Sequence, residues 1–202
     1  MVVFPLCLCW SPDQQTIFSL YQQIIFSSMY FKDHPVEFFT ATNLNWLPVL
    51  ENDFHKDILI EALKHRTENN QLTINAFVIM PNHFHIIWRI HDGINRSAFQ
   101  RDLMKFTARS ILKFMLMHDD PLLKKLKIKA ADRQQQVWER NSLAIELFSE
   151  EVLIQKLDYI HNNPLQLKWQ LCSNPEDYFY SSAGFYEYGG KDDFGILTHF
   201  RE

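Results

Sequence analysis

The sequence predicts an α+β fold, an antiparallel sheet with helices on one face. Three observations carry the prediction. The 202-residue chain is 47% hydrophobic and 14% aromatic, ample for a sizeable core, and its 5 Gly and 8 Pro exclude a disordered, collagen-like or low-complexity chain. Its patterned segments run in the order β-α-β-β-α-β-α, without regular β-α alternation and without an internal repeat. Two of its strands join through a turn dipeptide, which makes them a hairpin.

Val36 to Thr42 (VEFFTAT) is rich in β-formers and opens after Pro35. From Asp53 to Asn69, Phe54, Ile58, Leu59, Ala62 and Leu63 keep helical spacing, and the polar Glu68-Asn69-Asn70 ends the helix. Leu72 to Met80 (LTINAFVIM) and His83 to Ile90 (HFHIIWRI) are two strands around Pro81-Asn82. Ser97-x-x-Gln100 has the form of a capping box and opens a long helix through about Met117. Leu103, Phe106, Ile111 and Phe114 form its inner stripe, and Arg101, Lys105, Arg109 and Lys113 lie on another face. Asp119 to Gln136 is a polar, basic connection, and Val137 to Phe148 is extended. Ser149 caps the last long helix, with Glu150 and Glu151 in its first turn. That helix stops at Asn162-Asn163-Pro164, because proline disfavours α conformation in its predecessor. An aromatic, turn-rich extension from Leu165 then packs over the body.

Three Cys without a C-x-x-C pair exclude a disulfide scaffold and a cysteine-only zinc site, and point to a reducing cytoplasm. No apolar run reaches the length of a membrane-spanning helix, so no membrane partner is expected. The apolar Met1 to Trp10 lacks the basic residues and small-residue cleavage site of a signal peptide. Residues 1–32 therefore read as an extension of unknown role, residues 33–190 as the functional domain and residues 191–202 as a tail. Met29 is an alternative translation start; N-terminal sequencing of the native protein that returns Met1 or Val2 removes it. The net charge of −4 is unevenly spread. Residues 101–133 hold nine Lys or Arg against four Asp, a local charge of +5 that leaves −9 elsewhere. Such a band suits contact with a phosphate backbone, although it also suits a plain solvated face.

The chemistry concentrates in two places. In His83-Phe84-His85, residues two apart on a strand share a face, so both imidazoles point one way. Two imidazoles can begin a divalent metal site but are too few to complete it, and a half-buried strand whose histidines only hydrogen-bond reads the same. The second place is the helix ending in Tyr159-Ile160-His161-Asn162-Asn163-Pro164. Leu153, Leu157 and Ile160 form its apolar stripe, and Tyr159 lies about 150° from the stripe's centre, with Gln155, Lys156 and Asn163 within about 60° of it. His83, His85 and the Asn163 amide together suit Mg²⁺ or Mn²⁺, with Tyr159 one turn away from Asn163. A phenol has an ordinary pKa near 10, so as a nucleophile it needs a polarised target, which such a metal supplies.

Met80-Pro81-Asn82-His83-Phe84-His85 followed by Tyr159-Ile160-His161-Asn162-Asn163-Pro164 resembles the REP-associated tyrosine transposases, one-tyrosine HUH enzymes of the insertion-sequence-200 type. The resemblance runs from about Pro35 to Tyr188 and includes Val137-Trp138-Glu139-Arg140 and Pro175-Glu176-Asp177-Tyr178 with Ser181-Ser182. It implies a ferredoxin-like fold, a homodimer, and a metal-dependent endonuclease and strand transferase acting on single-stranded or hairpin DNA. By it, His83 and His85 match the metal-binding pair and Tyr159 the nucleophile, which forms a 5′-phosphotyrosine link. Asn163 stands where more distant relatives carry Gln. His161, a competing ligand, lies about 200° from Tyr159 around the helix. Arg101, Lys105, Arg109 and Lys113 become candidates for a DNA groove, and Trp88 and Trp138 for base stacking or for the core. Two other functions fit the same residues: a catalytically silent regulator that binds DNA hairpins, and a metallohydrolase of small phosphoesters that uses water.

Overall fold

In a computed structural model of the chain, residues 35–128 and 134–202 are described. The extension 1–32, with Met29, Cys7 and Cys9, and the band residues Lys129, Asp132 and Arg133 lie outside them. Strand β1 (Val36–Thr42) leads through two short 3₁₀ turns into helix α1 (Asp53–Glu68), and then come β2 (Leu72–Met80) and β3 (His83–Ile90). Helix α2 (Arg96–Met117), β4 (Leu143–Leu147), α3 (Glu150–Asn162) and the short α4 (Ala183–Glu187) complete the order. The four strands form one antiparallel sheet ordered β2-β3-β1-β4. That is the ferredoxin-like β-α-β-β-α-β arrangement, with β1 and β3 central.

The alternation of side chains along β3 divides the protein into two cores. Phe84, Ile86, Trp88 and Ile90 join Phe39 and Ala41 of β1 beneath α1 and α2, which contribute Leu59, Leu63, Leu103 and Ile111. On the opposite face Val36, Phe38 and Ile87 pack beneath Leu153, Leu157 and Ile160 of α3. Thus α1 and α2 share one face, and α3 covers the other. Strand β2 serves both faces through a bulge. Ile74 pairs with Trp88 and Ala76 with Ile87, so Asn75 is the extra residue and the alternation shifts by one. Asn75 is buried, donates from Nδ2 to the Thr198 carbonyl and accepts the Tyr186 hydroxyl at its own carbonyl.

Several local expectations need correction. Helix α2 is capped by Asn95, whose Oδ1 accepts from Ala98 N at 2.9 Å, so Ser97 lies inside the helix. Its buried stripe is Phe99, Leu103, Thr107, Ile111 and Met115, whereas Phe106 is 54% exposed and Phe114 only half-buried. Thr107 takes the inward place because its Oγ1 donates to the Leu103 carbonyl and accepts the buried Trp138 indole N–H at 3.1 Å. Trp88 and Trp138 are both core residues, at 0% and 6% exposure, so neither is open to a base. Only Leu143–Leu147 of the extended segment pairs as a strand; Trp138 makes a single bridge to Asn43. Residues 191–202 dock against the body. Ile196 is buried, and Thr198 N donates to the Ile74 carbonyl. The polar Ser149 cap forms as expected, accepting from Val152 N.

Trp88 is the largest fully buried side chain, and its indole N–H donates to Glu37 Oε2 at 3.2 Å. Replacing it by Ala should cost about 3–5 kcal/mol, read as a lower urea midpoint.

Candidate active site

His83 and His85 point from β3 toward the face covered by α3, at the end of the sheet nearest the Pro81-Asn82 turn. Their rings lie 4.8 Å apart, centre to centre. Each is held from behind. His83 Nδ1 is 2.7 Å from Asn82 Oδ1, and His85 Nδ1 is 2.7 Å from Oγ1 of Thr40, its partner on β1. With protons on both Nδ1 atoms, both Nε2 lone pairs face forward, as metal-binding imidazoles require. Phe38 stacks on the His85 ring at 5.2 Å and closes its side.

Helix α3 brings the other groups. Its apolar stripe sits on the sheet, and Tyr159, 44% exposed, stands with its ring centre 5.2 Å from His85 of the same chain. Lys156, one turn earlier, holds its ammonium 5.1 Å from the Phe38 ring centre and 5.9 Å from that of Tyr159. Asn163, directly after the helix, is 1% exposed and close enough for its side chain to favour a charged His83. Its Oδ1 and His85 Nε2 are both buried without a hydrogen-bond partner. Two orphaned acceptors beside a pair of oriented imidazoles fit a divalent cation, whose nitrogen and oxygen donors they would be. Among the described residues no three His, Cys, Asp or Glu side chains form a metal-binding group.

Burial, reinforced by the Lys168 ammonium, pushes His83 down to about 4. Burial, with His83, Lys156 and Lys168 adding to it, pushes His85 down to about 3. Both imidazoles are therefore neutral near pH 7, the state that ligates metal. His161 stands apart. Its Nε2 is 2.9 Å from Ser182 Oγ, its ring packs on Tyr186, and burial alone pushes it to about 4.

The structure does not bring the basic helix to this site. Arg101, Lys105, Arg109 and Lys113 are exposed on the outer side of α2, across the sheet from the histidines, because α2 packs on the Phe84–Trp88 face. Positive charge near the site comes from Lys156 and Lys168 instead. The sequence reading also missed Trp46 and Trp169, whose rings lie 6.2 and 6.0 Å from that of His83. Both sit in irregular segments with no periodic pattern, so nothing in the sequence marked them.

The three depressed imidazoles make stability depend on pH. Each is neutral in the folded chain and titrates near its ordinary 6.5 when unfolded, so below pH 6.5 the unfolded chain binds more protons. The metal-free protein should lose stability as pH falls from about 6.5 toward 4, by up to about 1.4 kcal/mol per pH unit for each imidazole. Urea midpoints at pH 7 and 5 measure this, and His161→Gln should remove one imidazole's share of the fall.

No protein-family model matches the chain, and no curated protein matches it. Among solved structures, the REP-associated tyrosine transposase bound to a REP hairpin is similar to it with a TM-score of 0.57 at 19% identity, over 83% of this chain and 89% of that one. A Deinococcus radiodurans R1 protein assigned as a transposase is similar over 63% of this chain and 88% of its own, with a TM-score of 0.42 at 22% identity. The sheet order, the helix layers and the first of these similarities together give the chain the fold of a REP-associated tyrosine transposase.

Proposed function

We propose that the protein is a transposase-like endonuclease and strand transferase of single-stranded DNA, working at hairpins, with Tyr159 as nucleophile. The observation that carries this reading is the approach of Tyr159 to His85, beside two buried acceptors with no partner. A bound Mg²⁺ or Mn²⁺ would polarise the scissile phosphate and orient it. His83, His85 and Asn163 would hold that ion, with Asn82 and Thr40 fixing the two rings.

The Tyr159 oxygen attacks phosphorus, a Tyr–O–P bond forms, and the P–O3′ bond breaks. The phenolic proton is lost to solvent, and the departing 3′ oxygen takes up a proton to become a hydroxyl. The new 5′-phosphotyrosine keeps the phosphoester for later attack by a 3′-hydroxyl, which reverses the step and joins strands. Lys156 places a positive charge beside the nucleophile, its ammonium 5.9 Å from the Tyr159 ring centre. The exposure of Tyr159 gives a DNA strand access, while burial keeps the histidines neutral. Arg101, Lys105, Arg109 and Lys113 contact DNA phosphates away from the reacting bond.

End-labelled hairpin DNA from around the protein's own gene, incubated with and without Mn²⁺, tests the reading. A DNA–protein adduct that survives denaturation should form only with metal. Tyr159→Phe should abolish it while leaving DNA binding, and His85→Ala should lower cleavage at least about a thousandfold. Cleavage unchanged in Tyr159→Phe would overturn the nucleophile assignment. Replacing the four basic residues of α2 by Ala should weaken binding and flatten its dependence on salt, by up to about 0.7 in log–log slope for each phosphate no longer neutralised.

A further inference from the structure

We propose that Trp46 is a stacking platform for an unpaired nucleobase beside the histidine pair; the proposal rests on the DNA-processing reading above. The indole is 60% exposed, although burying a tryptophan would be more favourable than leaving it in water. The backbone under it is strained. Asn45 and Trp46 both have left-handed conformation, with φ of 53° and 57°, and a bulky side chain seldom adopts it. Two such residues in succession persist only where surrounding contacts impose them.

Those contacts come from the site and from the Trp138-Glu139 segment. Asn45 N donates to Glu139 Oε1 at 2.7 Å, Leu44 N to the Val137 carbonyl and Glu139 N to the Thr42 carbonyl. Asn82 Nδ2 donates to the Trp46 carbonyl at 3.2 Å, while Asn82 Oδ1 holds the His83 ring. One buried asparagine thus fixes both the platform and a candidate metal ligand. The rings of Trp46, His83, His85 and Tyr159 follow one another at 6.2, 4.8 and 5.2 Å. Trp46 stands next to His83, and Tyr159 next to His85.

The chemistry of this row selects a nucleotide strand. A phosphate held at the histidines carries a base on each side, within reach of a neighbouring aromatic ring. Trp169 and the Lys168 ammonium, 5.4 Å from the Trp169 ring centre, add a second aromatic surface and a positive charge on the His83 side. Exposed aromatic rings with nearby cations bind unpaired bases by stacking and tolerate many sequences.

The test is fluorescence titration of the full-length Tyr159→Phe protein in EDTA with a 12-nucleotide thymidine strand, which separates binding from chemistry. Trp46→Gly should raise the Kd about tenfold. Its urea midpoint should match or exceed that of the parent, because glycine adopts the left-handed conformation without cost. Trp46→Phe should keep most of the affinity and lose a large share of the fluorescence quenching. An abasic strand of equal length should bind both the parent and Trp46→Gly with the same weakened affinity. Unchanged affinity and quenching in Trp46→Gly would overturn the platform, as would an abasic strand that binds the parent as tightly as the thymidine strand. Lack of a metal-dependent adduct would instead sink the nuclease reading and leave the strand-binding result standing.

Discussion

The side chains of β3 cannot all face one way, and the site follows from that constraint. Phe84, Ile86 and Trp88 are drawn under α1 and α2, so the pleat turns His83 and His85 toward the opposite face. The pairing of β3 with β1 then sets Thr40 beside His85 and Thr42 beside His83. Shifting that pairing by one residue would turn the imidazoles into the core beneath α1 and α2 and Trp88 toward α3. The position of the candidate ligands is therefore secured by hydrophobic burial on a face they never touch.

Helix α3 meets this arrangement with a division of labour around its circumference. Leu153, Leu157 and Ile160 supply the burial that holds it on the sheet, and Tyr159 and Lys156 lie outside that stripe at the site's margin. Electrostatics works in the same direction as packing. Two ammonium groups and a dry environment disfavour protonated histidine, and the His85 lone pair that results has no hydrogen-bond donor to meet it. In the core beneath α1 and α2, the Glu37–Trp88 and Thr107–Trp138 pairs satisfy buried polar groups. What marks the site is that the unpartnered His85 Nε2 and Asn163 Oδ1 lie beside the oriented imidazole of His83.

Much of this was legible in the sequence, because strand and helix periods are strong signals where one side is buried. The hairpin, the common face of His83 and His85, and the displacement of Tyr159 from the apolar stripe could all be read from spacing. The inner face of α2 could not. A threonine that satisfies a tryptophan N–H outcompetes a phenylalanine for the inward position, and no hydrophobicity pattern reports such a pairing. Nor could charge counting show that the basic stripe and the histidines lie on opposite sides of the sheet, which depends on which face α2 crosses. Trp46 escaped for a further reason. Its position is imposed by Asn82 and Glu139, distant in sequence, against the preference of its own backbone.

The bulge at Asn75 bears on how this sheet can change in length. It lets β2 present Ile74 to one core and Ala76 to the other. Asn75 binds the Thr198 carbonyl and accepts from Tyr186, so the extra residue is also a fastening point for the last segments of the chain. A lineage that lost this one residue would move Leu72 and Ile74 out of register or release the C-terminal segments from the sheet edge. Single-residue insertions and deletions in β2 are consequently disfavoured on the N-terminal side of the bulge, whereas the Gly93 turn, with open space around its Cα, can absorb changes of length without disturbing either core.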